Sequence, residues 1–237
     1  MDPFLDRYSA LDSPVHRLDA RVKIVAVFGL VLVCVTTPPR AFAAFGAYVA
    51  LVVAALAFTR VPVGYLFRRS LLVLPFVLVV AAFMPFLPHN GLLVFWNVLA
   101  KAYIATLALI LLSVTTPFPK LLEGFGRLRV PGVLTLQAAL AYRYLFVIVD
   151  EAFRMKRAGD SRAFGGRWLW HAKVVGQMIG ALFLRSYERG ERVYAAMLAR
   201  GFDGKAAPGG HARLQARDWA FAGCALAALV VVRVVIR

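Results

Sequence analysis

Ala41 to Thr59 contains only Ala, Phe, Val, Leu, Tyr and Gly until it reaches Thr59-Arg60. A run of that length and purity is near the ~20 apolar residues that carry a helix across a bilayer. Four more runs resemble it. Val22 to Thr37 is closed by Pro38-Pro39, and Leu71 to Leu87 carries Pro75 and Pro85. Leu92 to Val114 is interrupted by Trp96-Asn97 and Lys101 near its start, and Trp219 to Val232 is the last. Prolines inside such runs are tolerated where neighbouring helices satisfy the freed carbonyls. The pattern predicts an all-α, polytopic helical membrane protein with about five transmembrane helices and a basic cytoplasmic helical domain.

Composition agrees. The chain is 61% hydrophobic and 17% charged, with mean hydropathy +0.73. A soluble domain is about 45–50% apolar and about 25% charged. An ordinary cytosolic enzyme and a disordered basic tail are both excluded. Met1 to Asp19 carries Asp2, Asp6, Asp12 and Asp19 and lacks the apolar core of a signal peptide.

The net charge of +16 would suggest nucleic acid on a soluble chain. Here it follows the bias of Lys and Arg toward cytoplasmic loops. With five spans and a cytoplasmic start, 24 of the 28 Lys and Arg fall on one side. Only Arg40, Lys101, Arg233 and Arg237 fall on the other, which fixes the expected orientation. No nucleic-acid partner is expected; the lipid bilayer is.

Residues 115–217 differ from the rest, being basic and mixed. Val133 to Phe153 is apolar but contains Gln137, Arg143, Asp150 and Glu151. Trp168 to Ser186 is apolar but contains His171, Lys173, Gln177 and Arg185. Both read as helices that lie against the membrane, dip into it, or pack on the bundle, rather than as clean spans. Glu188–Arg192 and Arg185–Glu188 have the spacing of stiffening ion pairs on one helix face. They equally suit a solvated surface.

Two sites in this region share a pattern. Ser161-Arg162-Ala163 follows a basic stretch and precedes Gly165-Gly166. Ala199-Arg200-Gly201 ends the stretch that begins at Glu191. Each sets one Arg between small residues where a helix should stop. The small neighbours leave a planar fork of donors free to enter a groove and pair with carboxylates. Gly201 also suits a plain helix C-cap, with Arg200 at the negative end of the helix dipole.

These tripeptides, with the opening Ser13-Pro14-Val15-His16-Arg17-Leu18-Asp19-Ala20-Arg21-Val22-Lys23, resemble the transmembrane T component of energy-coupling-factor transporters. The opening and Arg143-Tyr144 to Asp150-Glu151-Ala152 are most similar to its cobalt branch, the CbiQ-type permease. The resemblance implies a non-catalytic subunit of an ABC importer in a prokaryotic cell (inner) membrane, with cytoplasmic N-terminus and coupling domain. It implies a membrane domain at 1–126 with four transmembrane helices, a coupling domain at 127–217, and a final transmembrane helix at 218–237. It implies two ABC ATPase partners, whose grooves receive Arg162 and Arg200, and a substrate-binding membrane subunit. The Val133–Phe153 and Trp168–Leu198 helices would be the levers. Ser161 and Ala163 depart from the commoner Ala-Arg-Gly form. The implied cargo is cobalt ion, with nickel or a vitamin as the alternative within the same class. A membrane enzyme or a scaffold acting on anionic lipids is the alternative outside it.

Other chemistry finds little support. No GxxxxGK[ST] loop is present, so ATP belongs to the partner subunits and no cofactor is expected in this chain. His16, His89, His171 and His211 are far apart, and no metal site is expected. Cys34 and Cys224 sit in apolar runs and read as small hydrophobes. Lys101 is placed to snorkel and anchor its span. Asp150 and Glu151 are expected to pair with Arg154 or Arg157, and Arg143 with a carboxylate or carbonyl between helices.

Overall fold

The computed structural model describes residues 15–16, 18–39, 41–59, 63–82, 91–161, 168–204 and 215–235. These residues form eight α-helices, and no strand occurs among them. The helices are α1 (Ala20–Thr36), α2 (Phe42–Ala57), α3 (Val63–Ala81), α4 (Gly91–Thr115), α5 (Phe118–Arg127), α6 (Gly132–Ser161), α7 (Trp168–Ala199) and α8 (Ala216–Val235). The chain divides into two compact units. One holds residues 3–128 and 209–237, the other 129–208.

In the first unit α4 is the centre, touching α1, α2 and α3, while α8 lies on α1 and α2. Tyr48 and Ile104 are fully buried, surrounded by Val52, Ala108, Cys34 and Ala44. Small residues at such contacts let helices approach closely, which matters where lipid offers apolar groups no reason to leave it. The outward side is also apolar. Phe28, Leu32, Leu72 and Phe76 are all more than half exposed, a surface that suits lipid and not water.

The ends of α1 are closed by residues distant in sequence. Lys101 of α4 donates from Nζ to the carbonyls of Val35 (2.8 Å) and Thr37 (2.9 Å), and lies 6.0 Å from the Phe45 ring. The orphan carbonyls of α1 are thereby satisfied. Lys101 is therefore an internal helix cap and not a snorkelling anchor, because α1 presents those carbonyls within its reach. Thr37 is buried, donates to the Val33 carbonyl at 2.7 Å, and approaches the Tyr48 hydroxyl and Arg233 Nη1. At the other end of α1, Lys23 donates to the Thr115 carbonyl (3.0 Å), Thr116 Oγ1 (3.2 Å) and the His16 carbonyl (3.4 Å).

Several helices differ from the extent of the apolar runs. α3 starts at Val63 rather than Leu71, so Arg68 and Arg69 belong to it. Arg69 hydrogen-bonds the Tyr65 hydroxyl one turn back at 3.0 Å and lies over its ring. A helix can carry charges that an apolar-run criterion excludes; the expected end at Leu87 lies outside the described residues. α5 was not foreseen within the basic region. It packs on α1 through Gly124, where an added Cβ would lie 3.0 Å from Ile24 Cδ1 and 3.2 Å from Ala20 Cβ. α6 and α7 run past their apolar stretches, which end at Phe153 and Ser186, to stop at Ser161 and Ala199 beside the two tripeptides, as expected, because their charged ends are good helix formers. By length and composition alone α4 and α6 are each able to cross a membrane.

Candidate coupling site

The second unit is built on α6 and α7, and neither helix has a fully buried residue among those whose side chains are described. They bound a groove of about 670 Å³ lined by Leu140, Tyr144, Ile148, Leu182, Val193 and Met197 among others. Large apolar side chains remain exposed on both helices, including Leu134, Phe153, Ile179 and Phe183.

One acidic residue ties the two helices together. Glu151 of α6 accepts hydrogen bonds from Arg154 of its own helix and Arg185 of α7. Those two guanidiniums hold the Glu151 carboxyl below the ordinary carboxylate range. The Arg154 guanidinium is shifted upward by the same pairing. Arg154 was an expected partner; Arg185 was not. The expected Arg185–Glu188 pair is not formed, since Arg185 spans to α6 instead. Glu188 and Arg192 do approach, at 3.8 Å, and both are well exposed. Such a pair stabilises an exposed helix by a few tenths of a kcal/mol at most. Arg143 is exposed, with no carboxylate in ion-pair range among the described residues.

The end of α7 has a well-defined geometry. Ala199 is the last helical residue. Gly201 has φ +81°, and its N–H donates to the Leu198 carbonyl at 2.9 Å. The Phe202 N–H donates to the Met197 carbonyl at 3.0 Å. This pair of bonds is a Schellman cap, with glycine in the left-handed position. Phe202 and Met197, the two positions whose side chains commonly meet beside such a cap, both line the groove. Arg200 sits at the cap itself, exposed, at the negative end of a helix dipole.

The other tripeptide is described only at its first residue. Ser161 closes α6 and donates from Oγ to the Arg157 carbonyl at 2.9 Å. Arg162 and Ala163 lie outside the described residues, so the two motifs are not brought together here.

The polar hub at the start of α1 went unnoticed in the sequence. Asp19 is the N-cap of α1 and accepts from the Arg21 N–H at 2.9 Å. Its carboxylate lies 3.6 Å from Arg127 Nη1, and its own N–H donates to Asp218 Oδ1 at 3.1 Å. The Asp19 side chain at a helix start was a legible capping signal. Its partners, 108 and 199 positions away, were not.

Residues 12–209 match the family described as Cobalt transport protein, CbiQ. Among relatives, an uncharacterised protein of Methanocaldococcus jannaschii is 35% identical over 48% of this chain and 41% of its own length. The cobalt transport protein CbiQ of Rhodobacter capsulatus is 37% identical over 40% of this chain and 38% of its own. The chain thus spans well under two thirds of those two relatives. The energy-coupling factor transporter transmembrane protein EcfT of Bacillus selenitireducens is 31% identical over 84% of both chains.

Proposed function

The chain belongs to the cobalt transport protein family, a family of transport permease components, and from that premise we propose that it couples two ABC ATPase subunits to a separate substrate-binding membrane subunit. The cargo we propose is cobalt ion. ATP is held by the partner subunits, and this chain supplies motion rather than chemistry.

The observation that carries the reading is Arg200. A Schellman cap fixes the backbone on both sides of it while the guanidinium stays exposed, so a charge is presented on a rigid base. A carboxylate-lined groove on an ATPase would bind it through two parallel hydrogen bonds. Arg162, one residue beyond the end of α6, would occupy a second such groove. ATP-driven movement of the two ATPases would then be imposed on the ends of α6 and α7. The Glu151–Arg185 bridge would make the two helices move as one body. Their exposed apolar sides suit contact with the substrate-binding subunit. Bilayer placement follows the charge bias, with N-terminus and residues 127–217 on the cytoplasmic side.

Co-purification with the two ATPases tests this reading, using wild type, Arg162→Glu, Arg200→Glu and the double variant, with ATP-dependent Co²⁺ uptake measured in parallel. Loss of ATPase retention and uptake with membrane insertion intact is the expected result. Full retention and uptake in the double variant would reduce both motifs to helix caps and return the enzyme and scaffold alternatives. Ni²⁺ in place of Co²⁺ tests the cargo separately.

A further inference from the structure

Residues 129–208 are joined to the rest of the chain at two places, one after α5 and one before α8. Both helices are held by the same residue. The Asp19 carboxylate meets Arg127, the last residue of α5, at 3.6 Å. The Asp19 N–H donates to Asp218 Oδ1 in the first turn of α8 at 3.1 Å. Asp218 is buried, and its other oxygen accepts from the Gln215 N–H at 2.9 Å, which caps α8 on itself. The Asp19 and Arg127 side chains are only 15% and 17% exposed, so the contact is shielded from the solvent that weakens surface pairs.

Neither root would be firm alone. α5 has ten residues, too few to hold a helix without tertiary contacts. It packs along α1, with a close approach at Gly124 and the ion pair at Arg127. The start of α8 depends on Asp218, which also serves Asp19.

We propose that Asp19 is a positioning residue of the transport cycle, a clamp that fixes α5 and the start of α8 to α1 at both points where the chain passes to and from residues 129–208. The inference rests on the coupling function proposed above. Work delivered to α6 and α7 returns to the membrane bundle only if the two roots resist it. With the Asp19–Arg127 pair broken, the same work is absorbed by fraying of α5, and ATP is spent without import.

The test uses the full chain assembled with its two ATPases and substrate-binding subunit in proteoliposomes, with Co²⁺ as the probe. Asp19→Asn keeps a good N-cap and the backbone bond to Asp218 while removing the charge facing Arg127. Arg127→Gln removes the other half, and Arg127→Lys restores a cation. Asp19→Asn and Arg127→Gln are each expected to assemble and hydrolyse ATP near the wild-type rate, with Co²⁺ imported per ATP down about fivefold or more. The double variant is expected to be no worse than either single, and Arg127→Lys to recover most of the loss. An unchanged import ratio, or equal falls in hydrolysis and import, overturns the clamp. Hydrogen exchange on the detergent-solubilised chain is the second readout and needs neither partners nor cargo. Exchange at residues 118–127 is expected to accelerate about tenfold in Asp19→Asn, with α2 and α4 unaffected. No acceleration overturns the clamp by itself. A wild-type complex that neither assembles nor imports any cation, beside an intact exchange result, overturns the coupling function and leaves the clamp standing as a structural contact.

Discussion

Lys23 and Lys101 close opposite ends of one antiparallel helix pair. Lys23, near the start of α1, donates to the Thr115 carbonyl at the end of α4 at 3.0 Å. Lys101, within α4, donates to the Val35 and Thr37 carbonyls at the end of α1 at 2.8 and 2.9 Å. Each helix thus uses an ammonium from the other to satisfy carbonyls it cannot satisfy itself. A hydrogen bond to a charged group contributes about 1.5–3 kcal/mol, and an orphaned carbonyl away from water costs a similar amount. These three bonds also fix the axial register of the pair, which apolar side chains alone would leave loosely set.

Lys101→Met is therefore expected to destabilise the bundle by about 2 kcal/mol, and Lys23→Met by at least as much because Lys23 is 5% exposed. Methionine nearly matches the volume, so packing is spared and the lost cap dominates. Unfolding titrations in mixed detergent micelles measure this. Stabilities within error of wild type for both variants would show that the carbonyls find other donors.

Gly124 lets α5 reach α1. An alanine there would put Cβ 3.0 Å from Ile24 Cδ1 and 3.2 Å from Ala20 Cβ. Overpacking of this kind costs about 1–3 kcal/mol. Gly124→Ala is expected to loosen α5 and raise its protease sensitivity. Ile24→Val removes the nearer methyl, and the double variant is expected to recover much of the loss. Failure of that rescue would place the strain on Ala20 instead.

Gly201 is required for its backbone and not for space, since a Cβ would meet nothing within 4 Å while φ is +81°. Gly201→Ala is expected to weaken the cap by about 1 kcal/mol, with Gly201→Asn closer to wild type. Under the coupling function, ATPase retention should fall in the same order although Arg200 itself is intact. Retention equal in all three proteins would mean that the presentation of Arg200 does not depend on the cap.

Glu151 gives the second unit a pH dependence. Its carboxyl is held below the ordinary value of 4.5 by hydrogen bonds from Arg154 and Arg185. A lowered folded-state pKa contributes stability that is fully present above the ordinary value and is lost as pH falls through the depressed one. The α6–α7 link is thus expected to hold at neutral pH and to loosen in acid, below pH 4.5. Spin-label distances between α6 and α7 across that range test it. Glu151→Gln should show the loosened distance at every pH; a distance in that variant equal to wild type at neutral pH would remove Glu151 from the crossing.

Much of the architecture was legible because it is local. Long apolar runs placed α1, α2, α4 and α8 within a few residues of their observed ends. A glycine after an arginine placed the end of α7, since only the left-handed backbone at Gly201 closes that helix so tightly. Both signals depend on neighbours in sequence, and water or lipid selects for them directly. The role of a long cation is a different matter. Lys101 looked like an interfacial anchor until α1 placed two carbonyls beside it, 64 and 66 positions away. Arg185 had Glu188 within reach on its own helix and bonds Glu151 of α6 instead. Asp19 has the chemistry of a helix cap, but nothing near it in sequence shows that Arg127 and Asp218 converge on it. A flexible charged side chain has several partners of similar energy nearby. Only the packing of helices, set by apolar contacts that are nearly blind to charge, decides which of them lies within hydrogen-bond distance.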